Sequence, residues 1–168
     1  MARRVIELVQ LHAASPTAIE ALLDAAFGAD RQQKTAYRLR TGSQPIADLS
    51  YAILHDNELP IACIQCWSVT IDHSRLVLVG PVAVHPDCQN EGHGSRLMQR
   101  MLEAALDIGE PPMVMVGDAE YYGRFGFSAE ATAGWQMPGP WEPHRLLSRN
   151  PAGHTLPAIG MLGSADAL

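Results

Sequence analysis

No apolar run in the chain approaches the ~20 residues that a membrane-spanning helix requires. The N-terminal Met1-Ala2-Arg3-Arg4 leads into a strand-like stretch and not into a long apolar signal core, so a soluble, cytoplasmic protein is expected. Cysteine is scarce. Cys63, Cys66 and Cys88 are odd in number and too few for a disulfide framework. Cys63 and Cys66 spell a C-x-x-C, but within an apolar run, Leu59 to Val69, that reads as a strand. Residues three apart on a strand point to opposite faces, so the pair cannot readily close on one metal or form a short disulfide, and buried structural thiols are expected. The seven histidines show no H-x-x-x-H or H-E-x-x-H spacing, and no metal site is expected. Positive charge is also short. Twelve Lys and Arg against eighteen Asp and Glu give a formal charge of -6, the wrong sign for neutralising nucleic-acid phosphates or docking on anionic lipid. Neither nucleic acid nor a membrane is expected as a partner.

What is present suits one folded domain over residues 1–168: 47% of residues are hydrophobic and only 18% charged. Val5 to Leu11 reads as a strand. Ser15-Pro16-Thr17 followed by Ile19, Leu22, Leu23, Ala26 and Phe27 reads as a capped amphipathic helix closed by Gly28. Residues 31 to 45 are polar and basic and suit a short helix and a loop. Leu49 to Leu54 and Leu59 to Val69 form a hairpin around His55-Asp56-Asn57-Glu58, and Arg75 to Val84 adds a third antiparallel strand. A helix from Ser95 to Leu106 carries apolar Leu97, Met98, Met101, Leu102 and Ala105 at the 3.6 period and ends at Gly109 and Pro111-Pro112. Met113 to Val116 is wholly apolar, as a strand buried on both faces would be. Strand, helix and strand make a βαβ unit with parallel strands. Glu120 to Phe125 fits a short helix ended by Gly126, and later strands are expected near Gly134 to Met137 and Thr155 to Met161. The class is α/β or α+β around one mixed, mostly antiparallel sheet with flanking helices.

The chemistry concentrates between strand and helix, where Gln89-Asn90-Glu91-Gly92-His93-Gly94-Ser95 follows Val82-Ala83-Val84-His85-Pro86. A helix N-terminus offers unpaired N–H groups and about half a positive charge, and glycines let an anion approach the backbone. The loop is neither a P-loop nor a dinucleotide fingerprint: no Gly-Lys-Ser/Thr follows, and the third glycine of G-x-G-x-x-G is Leu97. A tight turn needing flexible residues is the competing reading of the glycines.

Gln89-Asn-Glu-Gly92-His-Gly94 matches the Q/R-x-x-G-x-G/A signature of the GNAT N-acetyltransferase superfamily. Tyr122-Gly-Arg-Phe-Gly126-Phe127 resembles that fold's Y-x-x-x-G-F element, at the expected distance and order. Gly117 to Phe127 is similar to the YhbS-like branch. The resemblance is strong over 76–127 and thin beyond 128. It implies binding of acetyl-CoA as acyl donor: a pyrophosphate cradle of Gln89, Asn90, Glu91, Gly92, His93, Gly94 and Ser95, and a pantetheine edge at Val82, Ala83 and Val84. It also implies direct attack by a primary amine of a small molecule or peptide, with Tyr122 protonating the departing thiolate. An unpaired strand edge can take an extended amide as a further strand, and Pro81 is best tolerated on such an edge or at a bulge. The alternative is a non-catalytic CoA-binding module. Family members often dimerise, which leaves a homodimer open. The strand Leu76 to Val84 has no carboxylate to serve as base; Asp118, Asp72, His85 and Glu130 are alternatives, each more often a capping or exposed residue. Arg31, Lys34, Arg38 and Arg40 suit a solvated helix face, or contact with an acidic acceptor or the CoA 3′-phosphate.

Overall fold

The computed structural model describes residues 5–56 and 58–165. Met1 to Arg4 and Asn57 of the expected hairpin turn lie outside them. The strands are β1 (Ile6–Gln10), β2 (Tyr51–His55), β3 (Leu59–Ile71), β4 (Ser74–Val84), β5 (Met113–Val116), β6 (Gly134–Gln136), β7 (Leu146–Arg149) and β8 (Ile159–Ser164). The helices are α1 (Pro16–Phe27), α2 (His93–Asp107) and the single turn α3 (Ala119–Tyr122). The sheet runs β1-β2-β3-β4-β5-β7, with β8 on the far half of β3 and β6 beside β8. All its pairs are antiparallel except β4 with β5 and β6 with β8. This is the mixed, mostly antiparallel α+β sheet expected, and the β4-α2-β5 crossover carries its central parallel pair.

Helices cover opposite faces. Leu97, Met98, Met101 and Ala105 of α2 are buried against Ile53, Ile64, Cys66, Val77, Val79 and Met113. Ile19, Leu22 and Leu23 of α1 bury against Ala52, Leu54, Cys63 and Ala83 on the other side. Each fully buried Leu or Ile contributes about 1.5–3 kcal/mol relative to exposure, so these two stripes hold the layers together. The Ser15 hydroxyl accepts from the Ala18 N–H at 3.4 Å, Pro16 opens α1, and Gly28 closes it at φ 92°. Cys63 and Cys66 face opposite layers, as strand alternation requires.

Five details differ from the sequence reading. The helix starts at His93, two residues earlier, so His93, Gly94 and Ser95 are its first turn and not loop. Residues 31–33 and 35–40 are two 3-10 turns, and α3 is one turn continued by a 3-10 turn at Gly123–Phe125. The last strand lies at Ile159–Ser164, displaced toward the C-terminus. β7 was not anticipated: Leu-Leu-Ser-Arg has no alternation because Leu146 and Leu147 bury into different clusters on the two faces.

Candidate functional site

The site is made by a divergence in the sheet. β4 pairs with β5 only at Val77 and Leu78, opposite Met113 and Val114. Its other edge stays on β3 to the end, with Val82 opposite Ile64 and Val84 opposite Ala62. From Val79 onward, β4 therefore has no strand on its β5 side among the described residues. A bulge falls here: Cys66 pairs with Val79 and Ile64 with Val82, so Gly80 and Pro81 stand opposite Gln65 alone. Pro81 occupies the position where a missing N–H is tolerated, as its sequence context required.

The backbone direction of the open edge follows from one bond. The His85 N–H donates to the Ile61 carbonyl at 2.8 Å, toward β3. Alternation then turns the N–H groups of Ala83 toward β3 and those of Val82 and Val84 outward. The Val84 carbonyl, outward as well, accepts from Gln89 Nε2 at 2.9 Å. Gln89 thus anchors the loop to the strand end, which sets the loop's distance from the open edge.

Residues 86–88 form a 3-10 turn, Asn90 takes φ 64°, and Gly92 is the N-cap of α2 at φ 83°. No side chain caps the helix. The Gly92 carbonyl accepts from Arg96 N–H at 3.0 Å, leaving the N–H groups of the first turn pointing out of the helix end. A Cβ on Gly94 would stand 3.8 Å from Val84 Cγ2 and 3.9 Å from Val82 Cγ1, so the helix start lies directly over the open strand. Glu91 is the one acidic member of the loop, and its carboxylate is turned onto the buried His93, Oε2 to Nε2 at 2.8 Å.

Tyr122 ends α3 and packs beside Tyr121 (edge-on, centroids 4.8 Å apart) against the same core as Val82 and Val84. Its hydroxyl has no hydrogen-bond partner among the described residues, whereas the Tyr51 hydroxyl donates to the Asp48 carbonyl at 2.8 Å. Burial, reinforced by Tyr121, raises the Tyr122 pKa above its ordinary 10.0; nearby Arg145 opposes this and Asp118 adds to it. The phenol therefore remains protonated through neutral and mildly alkaline pH.

Three of the four candidate bases already accept a backbone N–H. Asp118 accepts from Glu120 N–H at 3.0 Å, Asp72 from Met161 N–H at 3.1 Å, and His85 Nδ1 from Asp87 N–H at 3.1 Å. Glu130 is exposed. The basic segment departs from a solvated face at two positions: Arg31 is 3% exposed, and Arg40 is stacked on Tyr37 and Trp67, while Lys34 and Arg38 are exposed.

A groove of about 860 Å³ runs from Ser95 and Gln99 of α2 to Arg124, Gly126 and Arg149. It links the N-terminal turn of α2 to the 3-10 turn that follows α3. The sequence reading missed Arg149, because it lies on the unanticipated β7; its Nε donates to the Phe125 carbonyl at 3.0 Å and its buried Nη1 has no partner among the described residues. No group of three or more His, Cys, Asp or Glu able to hold a metal occurs among the described residues, and no described helix is long and apolar enough to cross a membrane.

An antiparallel-rich sheet parted after a parallel β4-β5 pair, with a glycine-bearing helix N-terminus over the parting, defines the acetyltransferase class of the sequence motifs. Residues 47–129 match the family model of the acetyltransferase (GNAT) domain, so the chain carries a GNAT acetyltransferase domain. No curated protein matches the chain. It is similar in structure to a GNAT family N-acetyltransferase (YhbS) from Escherichia coli in complex with CoA, with 21% identity, TM-score 0.71, and 96% of this chain and 89% of that one covered. A GNAT family acetyltransferase from Brucella melitensis in complex with acetyl-CoA is 24% identical, with TM-score 0.59 and coverage of 88% and 97%. An acyl-CoA N-acyltransferase from Pseudomonas aeruginosa is 21% identical, with TM-score 0.52 and coverage of 88% and 100%. At these identities the likeness carries the fold.

Proposed function

We propose that the protein transfers an acetyl group from acetyl-CoA to a primary amine by direct attack. The observation that carries this is the edge of β4 from Val79 to Val84, left without a strand partner and running under the N-terminus of α2. The outward groups of Val82 and the Val84 N–H can pair with the amides of a pantetheine arm as another strand would. The N–H groups from Gly92 to Ser95 then meet the pyrophosphate, with Asn90 and Gln89 fixing the loop and the Glu91 carboxylate held away by His93. Arg124 and Arg149 line the groove in which the nucleotide end lies.

In the reaction the neutral amine nitrogen forms a bond to the thioester carbonyl carbon, and the C–S bond breaks. The departing sulfur takes the Tyr122 proton, and the proton released by the amine passes to water. Two features support Tyr122 in this role: an unpartnered hydroxyl, and a pKa raised by burial that keeps the proton available. The fold being shared with proteins solved with CoA or acetyl-CoA bound supports the donor.

The test is calorimetry with acetyl-CoA together with an amine screen following free-thiol release. Binding with amine-dependent thiol release supports the proposal. Binding with no release across the panel favours a CoA-binding module, and no binding overturns both readings.

A further inference from the structure

On the α1 face, a second cavity of about 260 Å³ lies among Glu20, Arg31, Tyr37, Arg40, Gln65 and Trp67. Its wall is bonded to the β4 bulge, since Trp67 Nε1 donates to the Gly80 carbonyl at 2.8 Å. Gln65, at its floor, stands opposite Gly80 and Pro81 in the β3-β4 register. The α2 N-terminus and its loop pack on the other face, against Val82 and Val84. A donor lying along the parted edge and a small molecule in this cavity would meet at the bulge from opposite sides of the sheet.

The cavity's two cations are in different states. Arg31 is fully committed: its Nε donates to Asp24 Oδ1 at 2.9 Å, and its terminal nitrogens to Glu20 and the Tyr37 hydroxyl. Burial works against its charge, but the bonds to Asp24, Glu20 and Tyr37 outweigh that and raise its pKa above the ordinary value. Arg40 has no carboxylate partner among the described residues. Its guanidinium is stacked 3.8 Å over the Tyr37 centroid and 5.4 Å from that of Trp67, and its buried Nε has no hydrogen-bond partner among the described residues. Burial lowers its pKa, with Tyr37 offsetting part of the effect, as expected of a desolvated cation lacking its own anion. Stacked faces leave only the guanidinium edge for a ligand, and that edge matches a carboxylate. Gln65 is buried on the same cavity, and its side-chain amide makes no hydrogen bond among the described residues. The volume falls below the ~300–1,000 Å³ of pockets that enclose drug-sized ligands.

We propose that the acceptor is a small amino carboxylate, its carboxylate held at the Arg40 edge with help from Gln65 and its amine directed to the bulge at Gly80. This rests on the acetyl-transfer reading above.

The experiment pairs small α- and ω-amino acids with their own carboxamides, and includes aminoalkyl phosphates. Binding is read by thermal shift without cofactor, and turnover by thiol release with acetyl-CoA. Wild-type protein should be stabilised by members of the acid set and not by their amides, and should show kcat/KM on the order of tenfold to a hundredfold higher for the acids, as befits a charge-assisted pair. Arg40→Gln should bring the acids down to the level of the amides, and Arg40→Lys should recover only part of the difference. Equal response to acids and amides, preference for the phosphates, or no response to any acid while acetyl-CoA binds would overturn the inference. Because the acid-amide comparison is made on the wild-type chain, a misfolded variant leaves it decisive. Failure to bind acetyl-CoA, read separately by calorimetry, would overturn the transfer reading instead.

Discussion

The ring of Tyr122 rests on Gly117 so closely that a Cβ built there would stand 2.7 Å from Tyr122 Cε2. Gly117 follows β5 immediately, and its N–H is held by the Arg145 carbonyl at 2.9 Å, so the glycine cannot yield easily. The strand that parts from β4 therefore also sets the position of the phenol.

Gly117→Ala should consequently move the Tyr122 ring without touching the cradle. We expect kcat to fall at least tenfold, since a misplaced group forfeits much of its positioning advantage, while the acetyl-CoA Kd from calorimetry changes less than about twofold. A variant with wild-type kcat would show that the ring position does not matter.

Tyr122→Phe should lower kcat on the order of 10²–10⁴-fold with acetyl-CoA binding retained, and Tyr121→Phe should do far less. The two rings pack edge-on at the same turn, so equal rates for both variants in single-turnover measurements would reject the assignment.

Gly92→Val should weaken acetyl-CoA binding sharply in a protein that stays folded. A Cβ there meets nothing within 4 Å, so no clash unfolds the chain. The cost is conformational: at φ 83° a β-branched residue is strained by roughly 1–3 kcal/mol, and relaxing that strain turns the first N–H groups of α2 away. Unchanged calorimetric affinity in a variant with native circular dichroism would remove the cradle from this loop.

The pH profile has a definite sign. An alkylamine acceptor has a pKa near ~10 and attacks only when neutral, so kcat/KM at subsaturating amine should rise about tenfold per pH unit from 7 to 9. Tyr122 must stay protonated, and the rise that burial gives its pKa delays the descending limb. Transfer already maximal near pH 6 would reveal a dedicated base, to be sought with His85→Gln and Asp118→Asn.

The thiols should be silent in a thiol-release assay. Burial pushes the Cys63 thiol up to about 12 and Cys66 higher still, and all three cysteines are buried. Native protein at pH 8 should react with a chromogenic disulfide reagent far more slowly than denatured protein, in which three thiols titrate. Rapid native labelling would contradict this packing.

Much of the molecule was determined by local sequence. The α1 cap at Ser15-Pro16, the 3.6 period of α2, the apolar Met113 to Val116 and the glycines at 92 and 94 each express a preference of a few neighbouring residues, so each was legible. The two motifs fixed the family for the same reason. The tertiary structure alone decided the rest. That β4 leaves β5 after Leu78 is a matter of strand direction, and no residue of β4 encodes it by itself. β7 exists because Leu146 and Leu147 find cores on both faces, which a four-residue segment without alternation cannot signal. Arg31 and Arg40 read as solvated charges, because neighbours along the chain do not show that Glu20, Asp24, Tyr37 and Trp67 converge on them. Long-range pairing, bought at loop-closure entropy, is invisible to local pattern, and in this protein it parts β4 from β5 and stacks Arg40 on the Trp67 that bonds the β4 bulge.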